Sequence, residues 1–316
     1  MKSETMSKTN ATRFLGRLLV ATDGMEDGHR AVTFAIALAR RHGSTIVLCY
    51  SVDRIAALGE AYVGYGGDGG AVLPMLRNID DSARSILLEA LDRVKAAGIV
   101  ASAEELQGSP AEAILVREKD RSFDALVVGT RGERGLQRAL NGSTADVVLR
   151  YNEIPAFVVS AGAGEADPSF ARILVAVDDS DPSDAAICFA LEFAGADEAS
   201  LVFCGVAQTD DLLDKAATYG YDPAPLLKDI RSAARAPLDA AGALAKTKQL
   251  AFESVVAEGD PTNAILRAAA DHRAGCIIMG THGRRGVRRW IFGSVAESVA
   301  RLSPVPVAVV RGPARR

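Results

Sequence analysis

The feature that most constrains the fold is an internal repeat, which divides the chain of 316 residues into two similar halves. Residues 18–23 read Leu-Leu-Val-Ala-Thr-Asp, and residues 173–178 read Ile-Leu-Val-Ala-Val-Asp, 155 positions later. Other matched stretches recur at an offset of 151, namely 124–130 against 275–281 and Pro155 against Pro306. Each half is long enough to bury a hydrophobic core of its own, so the repeat predicts two tandem domains of one kind.

Within each half, short apolar runs alternate with helical patterns. In the first half the runs at 18–22, 45–52, 125–128 and 156–159 are apolar and β-branched on successive residues, which is typical of parallel strands covered on both faces. Helical spacing is found at 30–41, 80–97, 110–119 and 144–151, and again at 183–194, 226–245, 261–272 and 295–302. The alternation predicts an α/β fold with a doubly wound parallel sheet and right-handed crossovers in each half.

The boundary between the halves is predicted from composition. Residues 161–170 are rich in Ala, Gly, Asp and Pro, as linkers between domains are. We therefore predict a first domain over 14–160, a linker over 161–170 and a second domain over 171–312.

Composition argues against several classes of protein. With 36 Lys and Arg against 40 Asp and Glu, the net charge of −4 gives no reason to expect nucleic-acid binding. No apolar run approaches the ~18 residues that span a membrane, and residues 1–13 lack the apolar core of a secretory signal. The four cysteines lie in apolar stretches without a C-x-x-C pair and are predicted to be reduced core residues. We predict a cytoplasmic protein without a nucleic-acid or membrane partner.

A glycine-rich stretch at 64–70 contains the sequence Gly-x-Gly-x-x-Gly, which superficially matches a dinucleotide-binding fingerprint. That fingerprint lies directly between a strand and a helix, whereas this stretch lies about a dozen residues beyond the run at 45–52. Its composition instead predicts a mobile loop.

Two loops share the spacing Gly-x2-Gly-x9-Gly-Ser and carry the main chemical signal. Glycine at a strand end permits close approach of a ligand to the backbone. The final Gly-Ser opens a helix whose free N–H groups and dipole favour an anion, and the serine hydroxyl can cap the helix or bind a phosphate. The loops predict phosphate binding, although glycines that serve only as turns would show the same pattern after a duplication. The motif residues are Gly129, Gly132, Gly142 and Ser143, and Gly280, Gly283, Gly293 and Ser294.

One aspartate follows the first apolar run of each half, at Asp23 and Asp178. In open α/β sheets, ligands bind beyond the carboxyl ends of the strands, where the strand order reverses. A carboxylate at this edge can accept hydrogen bonds from a ribose hydroxyl or help to hold Mg²⁺. The alternative is that both aspartates only cap a helix or shape a turn.

On these residues the sequence resembles the universal stress protein family in its tandem form, over residues 14–311. The adenine-nucleotide motif of that family is Gly-x2-Gly-x9-Gly-(Ser/Thr), and its first-strand aspartate corresponds to Asp23 and Asp178. The resemblance implies a five-stranded parallel sheet of order 3-2-1-4-5 in each half, the halves being related by a pseudo-two-fold axis. It also implies that the last strands, at 156–159 and 307–310, pair antiparallel within the chain. Association into a homodimer is left open.

The resemblance further implies ATP, AMP or ADP as the ligand. Adenine would be held by backbone groups after the second strand, at Ser51 and Gly205, and by the residues before the first motif glycine, Val128 and Met279. No metal site is predicted with certainty; Asp23, Asp178 and Asp179 are the candidates for holding the Mg²⁺ of ATP. The full set of predicted nucleotide-binding residues is Thr22, Asp23, Ser51, Val128, Gly129, Arg131, Gly132, Gly142, Ser143, Thr144, Val177, Asp178, Gly205, Met279, Gly280, His282, Gly283, Gly293, Ser294 and Val295.

The sequence departs from the family pattern at three places. Many members follow the aspartate with Gly-Ser, whereas Gly24-Met25 stands in the first half and Asp179-Ser180 in the second. Met25 removes a hydroxyl from the first site, and Asp179 adds a carboxylate to the second. His282 stands where the first loop has Arg131, and both are predicted near the ligand rather than in catalysis, because no partner base is evident.

Three functions are compatible with the sequence. The first is a nucleotide-dependent regulator in the stress response and at most a slow ATPase, since neither a Walker lysine nor a general base can be assigned. We predict no catalytic residue. The second is an interaction protein of the same fold that has lost the nucleotide and acts through dimer surfaces. The third, an enzyme similar to the adenine-nucleotide α-hydrolases, is disfavoured because neither half has a Ser-Gly-Gly-x-Asp-Ser loop after its first strand.

Overall fold

The computed structural model describes residues 14–65, 69–120, 122–130, 144–162, 170–281 and 292–312. In the first half the elements are β1 (Arg17–Ala21), α1 (Glu26–His42), β2 (Thr45–Val52), α2 (Arg54–Tyr65), α3 (Gly69–Ala96), β3 (Ala101–Gln107), α4 (Pro110–Glu118), β4 (Ala125–Thr130), α5 (Thr144–Tyr151) and β5 (Ala156–Ser160). In the second half they are β6 (Arg172–Ala176), α6 (Asp181–Asp197), β7 (Ser200–Ala207), α7 (Asp210–Tyr219), α8 (Ala224–Thr247), β8 (Phe252–Glu258), α9 (Pro261–Asp271), β9 (Cys276–Gly280), α10 (Ser294–Leu302) and β10 (Val307–Val310).

The strands form one sheet of ten, in the order β3-β2-β1-β4-β5-β10-β9-β6-β7-β8. Each half contributes five parallel strands in the order 3-2-1-4-5, so the predicted fold class is confirmed. The two five-stranded sheets join at β5 and β10, which pair antiparallel with Val307 opposite Val158 and Val309 opposite Ala156. This pairing of equivalent strands turns the two predicted sheets into one continuous layer.

An aromatic cluster packs the two halves together on one face of the sheet. Phe157 of β5 lies at its centre and is fully buried, with its ring centroid 5.3 Å from that of Phe34 and 6.1 Å from those of Phe189 and Phe193. Phe170, the last residue of the predicted linker, is also buried and packs 5.5 Å from Phe193. Because rings from both halves interdigitate, the halves share a core in addition to the strand pair.

Several elements differ from the sequence prediction. The helices α2 and α7 were not predicted, and the expected mobile loop over 64–70 is wrong at both ends, because α2 continues to Tyr65 and α3 begins at Gly69. Residues 66–68 lie outside the described part.

Three cysteines are buried and have a pKa raised to about 12 by burial, but Cys188 is exposed on α6, so its assignment to the core is wrong. Among the described helices, none is both long enough and apolar enough to cross a membrane.

Glu118, the last residue of α4, is a carboxylate buried to 4% exposure. Its Oε1 atom accepts hydrogen bonds from the backbone N–H groups of Glu153 and Ile154, the latter at 2.9 Å. Burial raises the pKa of Glu118, because lost hydration penalises the charged form more than the two N–H donors and nearby Arg311 favour it.

We expect Glu118→Gln to gain stability over the wild type as the pH rises. A raised pKa means that the folded protein favours the protonated carboxyl. The stability that this carboxyl contributes is therefore complete below its ordinary pKa of 4.5, and it is lost as the pH rises through the pKa of the folded state. Denaturant titrations should show the unfolding free energy of the variant rising relative to that of the wild type between pH 4.5 and pH 7. Glu112→Gln, on the exposed face of the same helix, is the control. Equal pH trends in the two variants would contradict the explanation.

Candidate functional site

The predicted site residues of each half meet at one edge of the sheet. In the first half, β1 and β4 are neighbours, and Thr22, Asp23 and Gly129 lie at their carboxyl ends. In the second half, Val177, Asp178 and Gly280 occupy the same places at the ends of β6 and β9. The strand order reverses between these strands, which is where ligands bind in open α/β sheets.

The helices that follow the glycine loops begin at this same edge. The helix α5 begins at Thr144, directly after the motif serine Ser143, and α10 begins at its own motif serine, Ser294. The sequence prediction that the motif opens a helix is therefore confirmed for both halves. Predicted residues Arg131, Gly132, Gly142, Ser143, His282 and Gly283 lie outside the described residues.

Backbone hydrogen bonds hold the two ends of the second glycine loop together. The Thr281 N–H donates to the Val310 carbonyl at 3.0 Å, and the Gly293 N–H donates to the Thr281 carbonyl at 2.8 Å. Gly293 is the N-cap of α10 and offers no side chain to its helix, and the first helical bond there runs from Glu297 N–H to the Gly293 carbonyl. The N–H groups of Ser294, Val295 and Ala296 therefore have no partner within the helix. They form a group of donors with the positive end of the helix dipole.

Both aspartates shape the turn that enters the next helix. Asp23 is exposed, and its Oδ1 accepts from the Met25 N–H at 2.9 Å. Asp178 is half-buried, and its Oδ1 accepts from the N–H and the hydroxyl of Ser180, at 3.1 and 2.5 Å. The turn role considered from sequence is thus present in both halves. In all three hydrogen bonds the acceptor is Oδ1. That these carboxylates also bind a ligand stays a prediction.

The two helix starts that follow the aspartates differ, because Met25 stands in the first half where Ser180 stands in the second. Ser180 caps α6 by accepting from the Ser183 N–H at 3.3 Å, whereas Met25 at the N-cap of α1 makes no side-chain cap bond and is 58% exposed. An N-cap hydroxyl typically contributes about 1 kcal/mol to helix stability. The start of α1 therefore lacks the side-chain cap that the start of α6 has.

The glycines at the strand ends are explained by packing within the chain. A Cβ atom added to Gly129 would lie 2.3 Å from the carbonyl oxygen of Asp27 in the first turn of α1. A Cβ atom added to Gly280 would lie 2.7 Å from the carbonyl carbon of Pro182 in the first turn of α6. Atoms cannot approach so closely, so only glycine allows these helix starts to reach the sheet. The sequence prediction had given a different reason, the close approach of a ligand.

The two residues predicted to bind adenine after the second strand lie inside that strand instead. Ser51 belongs to β2, which continues to Val52, and Gly205 belongs to β7, which continues to Ala207. The strands extend further because their edge partners pair along the full length, with Val52 opposite Gln107 and Ala207 opposite Glu258. The Ser51 hydroxyl donates to the Gly108 carbonyl at 2.7 Å, and a Cβ atom on Gly205 would lie 2.6 Å from the Ala234 carbonyl oxygen of α8.

Three further predicted residues, Thr22, Val128 and Met279, have buried side chains. Val128 and Met279 are 3% and 5% exposed, and their side chains pack in the hydrophobic core. Thr22 is buried, and its Oγ1 accepts from the Gly24 N–H at 3.3 Å. Within the described ranges, no group of three or more His, Cys, Asp or Glu side chains is placed to hold a metal ion.

Sequence reasoning missed two arginines that lie between the halves. Arg301 of α10 approaches both Asp146, in the first turn of α5, and Glu297, with nitrogen–oxygen distances of 3.7 and 3.3 Å. Arg311 follows β10 and donates to carbonyls at the end of α5. No local signal marks the contacts that these arginines make with the other half, because Asp146 and Leu149 lie more than 150 residues before them in the sequence.

Comparison with known proteins identifies the family. The sequence model of the universal stress protein family matches the chain twice, at residues 15–160 and 169–311. A universal stress protein of Mycolicibacterium smegmatis is 26% identical over 302 residues, covering 93% of this chain and 96% of that protein. Universal stress protein YxiE of Bacillus subtilis is 30% identical over 147 residues, covering 45% of this chain and 99% of its own length.

Among solved structures, a universal stress protein from Archaeoglobus fulgidus matches with a TM-score of 0.67 and 21% identity, over 94% of this chain and 98% of that one. This likeness shows that the two proteins share a fold along nearly their whole length. Together with the two family matches, it accounts for the repeat in the sequence. The chain belongs to the universal stress protein family, with one family domain in each half.

Proposed function

We propose that this protein binds an adenine nucleotide, ATP or its products ADP and AMP, at the sheet edge of each half. The bound nucleotide sets the conformation in which the protein meets its partners in the stress response. The phosphates lie against the starts of α5 and α10, and the predicted site residues form the binding surface. With Mg²⁺ present, Asp23, Asp178 and Asp179 are the carboxylates nearest to it. Hydrolysis is slow at most, and no catalytic residue is assigned.

The observation that carries this proposal is the start of α10. Three backbone N–H groups without helical partners stand beside the end of β9, at the point where the strand order reverses. Thr281 and Gly293 are joined there by a backbone hydrogen bond, so the donors are held in place before a ligand arrives. Such preorganised donors at a helix start are the arrangement that binds phosphate in many α/β proteins.

We expect Ser294→Glu to abolish nucleotide binding in the second half while leaving the fold intact. A glutamate in the first turn of a helix is stabilised by the helix dipole, but its charge competes with a phosphate for the same N–H groups. Titration calorimetry with Mg-ATP should show one binding event fewer than in the wild type, because the affinity of that site falls by at least about a thousandfold, which is roughly 4 kcal/mol. Thr144→Glu places the same charge at the first residue of α5 in the first half.

The matched control for both variants is Ser82→Glu, which adds the same charge on the exposed side of α3. It should bind nucleotide as the wild type does. If Ser294→Glu and Thr144→Glu also bind as the wild type does, the nucleotide is not held at these helix starts.

A second candidate function is a protein of this fold that acts without nucleotide. The packing of Gly129 against Asp27, and of Gly280 against Pro182, favours it, because this packing would preserve both glycines in the absence of a ligand. The two candidates differ in what the purified protein carries. If denaturing the purified chain releases a nucleotide, the first candidate is supported. If no nucleotide is released and a titration with ATP shows no binding, the second candidate is supported.

The same proposal includes a first domain over 14–160, a linker over 161–170, a second domain over 171–312 and a cytoplasmic location. Pairing of β5 with β10 already brings two family domains together in one chain.

A further inference from the structure

The strand β8 lies at one end of the ten-stranded sheet and, among the described strands, pairs only with β7. Alternate residues of a parallel strand direct both of their backbone groups to the same neighbour. The Leu201 N–H donates to the Ala251 carbonyl at 2.9 Å, and the Gly259 N–H donates to the Ala207 carbonyl at 3.1 Å. With the register between them, these bonds show that the odd-numbered residues of β8 bond to β7. The even-numbered residues direct their N–H and C=O groups away from the sheet, and they are Phe252, Ser254, Val256 and Glu258.

These outward backbone groups make up the β8 edge. Within the described residues, the only one of them with a hydrogen-bond partner is the Glu258 carbonyl, which accepts from the Arg267 guanidinium at 3.1 Å. The helices α8 and α9 pack against the two faces of β8, and the side chains from Phe252 to Ala257 are half-buried. Proteins usually protect such an edge with charges, proline or a bulge. Residues 254–257 read Ser-Val-Val-Ala and pair with β7 without a break, so this edge lacks that protection.

The strand β3, at the other end of the sheet, carries the charges that the centre of β8 lacks. Glu104 and Glu105 stand at its centre and are bound by Arg117 and Arg54. If β3 paired antiparallel with a second copy of itself along its full length, Glu104 would face Glu104, and like charges directly opposite are destabilising. The equivalent position of β8, 151 residues later, is the apolar Val255. Self-pairing is therefore disfavoured at β3 and not at β8.

The sequence of β8 is complementary to itself in the antiparallel direction. When two copies pair over their full length, Val255 of one faces Val255 of the other on a two-fold axis. Ser254 then lies opposite Val256, and Phe252 lies opposite Glu258. All four are outward residues, so each opposite pair can exchange N–H to C=O hydrogen bonds. A single register therefore satisfies the outward groups of both strands.

The charges of β8 also fit this register. Its two carboxylates face no carboxylate, because Glu253 lies opposite Ala257 and Glu258 lies opposite Phe252. The Nζ atom of Lys246 lies 5.9 Å from the centre of the Phe252 ring. The ammonium of one copy therefore stands beside Glu258 of the other, which is an attraction between the two copies.

We propose that the β8 edge is the surface through which two copies of this chain associate, by antiparallel pairing of β8 with β8 about Val255. The chain already uses this kind of joint within itself, where β5 and β10 pair antiparallel and unite two five-stranded sheets. The same joint at β8 makes one sheet across two chains. It uses backbone groups and needs no nucleotide, so it does not rest on the proposed function.

The first test is sedimentation equilibrium of the full chain over a series of concentrations. We expect the wild type to dimerise, and Val256→Pro to raise the dissociation constant of the dimer at least about tenfold, because the two-fold axis makes each lost hydrogen bond count twice. Proline fits an edge strand where the N–H points outward, as it does at Val256. Ala103→Pro removes an outward N–H of β3 and is the matched control, which should dimerise as the wild type does.

A charge on the two-fold axis gives a second test. Val255→Glu places in β8 the residue that β3 has at the equivalent position, so the fold should accept it, and Val255→Lys adds the opposite charge. Each variant alone should be monomeric because like charges face each other, whereas an equal mixture of the two should dimerise again. Circular dichroism confirms that each variant is folded.

Three results would overturn the inference. The first is a wild type that stays monomeric up to about 1 mM, which would leave the β8 edge for an extended segment of another protein. The second is a dimer that Val256→Pro and Val255→Glu leave unchanged. The third is a mixture of Val255→Glu and Val255→Lys that stays monomeric. Nucleotide binding is measured separately, so none of these results decides the proposed function.

Discussion

The variant Gly129→Ala is expected to lose at least about 3 kcal/mol of unfolding free energy, a large loss for the addition of one methyl group. The new Cβ atom would lie 2.3 Å from the Asp27 carbonyl oxygen and 2.6 Å from its carbon, and both are backbone atoms that cannot turn aside. Relief requires α1 to move away from β4. Because α1 packs its buried face on this sheet, that movement opens the core. Denaturant unfolding measures the loss directly.

Gly195→Ala provides the matched control for the added methyl group. Gly195 lies in the exposed last turn of α6, and a Cβ atom there has no neighbour within 4 Å. Alanine is the better helix former by up to about 1 kcal/mol, so this variant should be as stable as the wild type or slightly more stable. If Gly129→Ala were as stable as Gly195→Ala and lost only nucleotide binding, the glycine would serve ligand approach and the packing explanation would fail.

Phe157→Ala is expected to lower the unfolding free energy by about 3–5 kcal/mol, as is usual for truncating a buried aromatic ring. The side chain of Phe157 is fully buried, and it contacts Phe34 of the first half as well as Phe189 and Phe193 of the second. The loss should therefore loosen the contact between the halves. Amide hydrogen exchange in β5 and β10 should accelerate, because their antiparallel pair lies under this cluster.

Phe203→Ala removes an equally buried ring whose aromatic neighbour, Phe252, belongs to the same half. Its loss of stability should be similar, but the exchange of β5 and β10 amides at native conditions should change much less. A loss below about 1 kcal/mol for Phe157→Ala, or equal acceleration of β5 and β10 in both variants, would show that the cluster does not join the halves.

The sequence was most informative where one pattern repeated in both halves. The run at 18–22 and its counterpart predicted the central strands β1 and β6, and the helix predicted at 144–151 has the observed bounds of α5. Elements without a buried stripe were missed. Ile55 of α2 is 83% exposed, so that helix shows no clear amphipathic pattern, and β3 is an edge strand with the mixed sequence Ala-Ser-Ala-Glu-Glu-Leu-Gln.

The sequence predicted which residues meet at the candidate site, but it did not predict what each of them contacts there. The positions of Asp23 and Gly129 at one edge follow from strand order alone. The reason for glycine at 129 does not, since its contact with Asp27 joins residues about a hundred positions apart. Arg311 has a partner at α5 only because β10 runs antiparallel to β5, and nothing local in the sequence carries that relation.

The central claim is that a helix start in each half holds the phosphates of an adenine nucleotide. The most direct measurement strips the purified chain of small molecules, refolds it and counts, by equilibrium dialysis with labelled ATP and Mg²⁺, how many nucleotides each chain retains. We expect two per wild-type chain, and one in Ser294→Glu or in Thr144→Glu. Retention of none by the wild type, with its secondary structure intact by circular dichroism, would contradict the account.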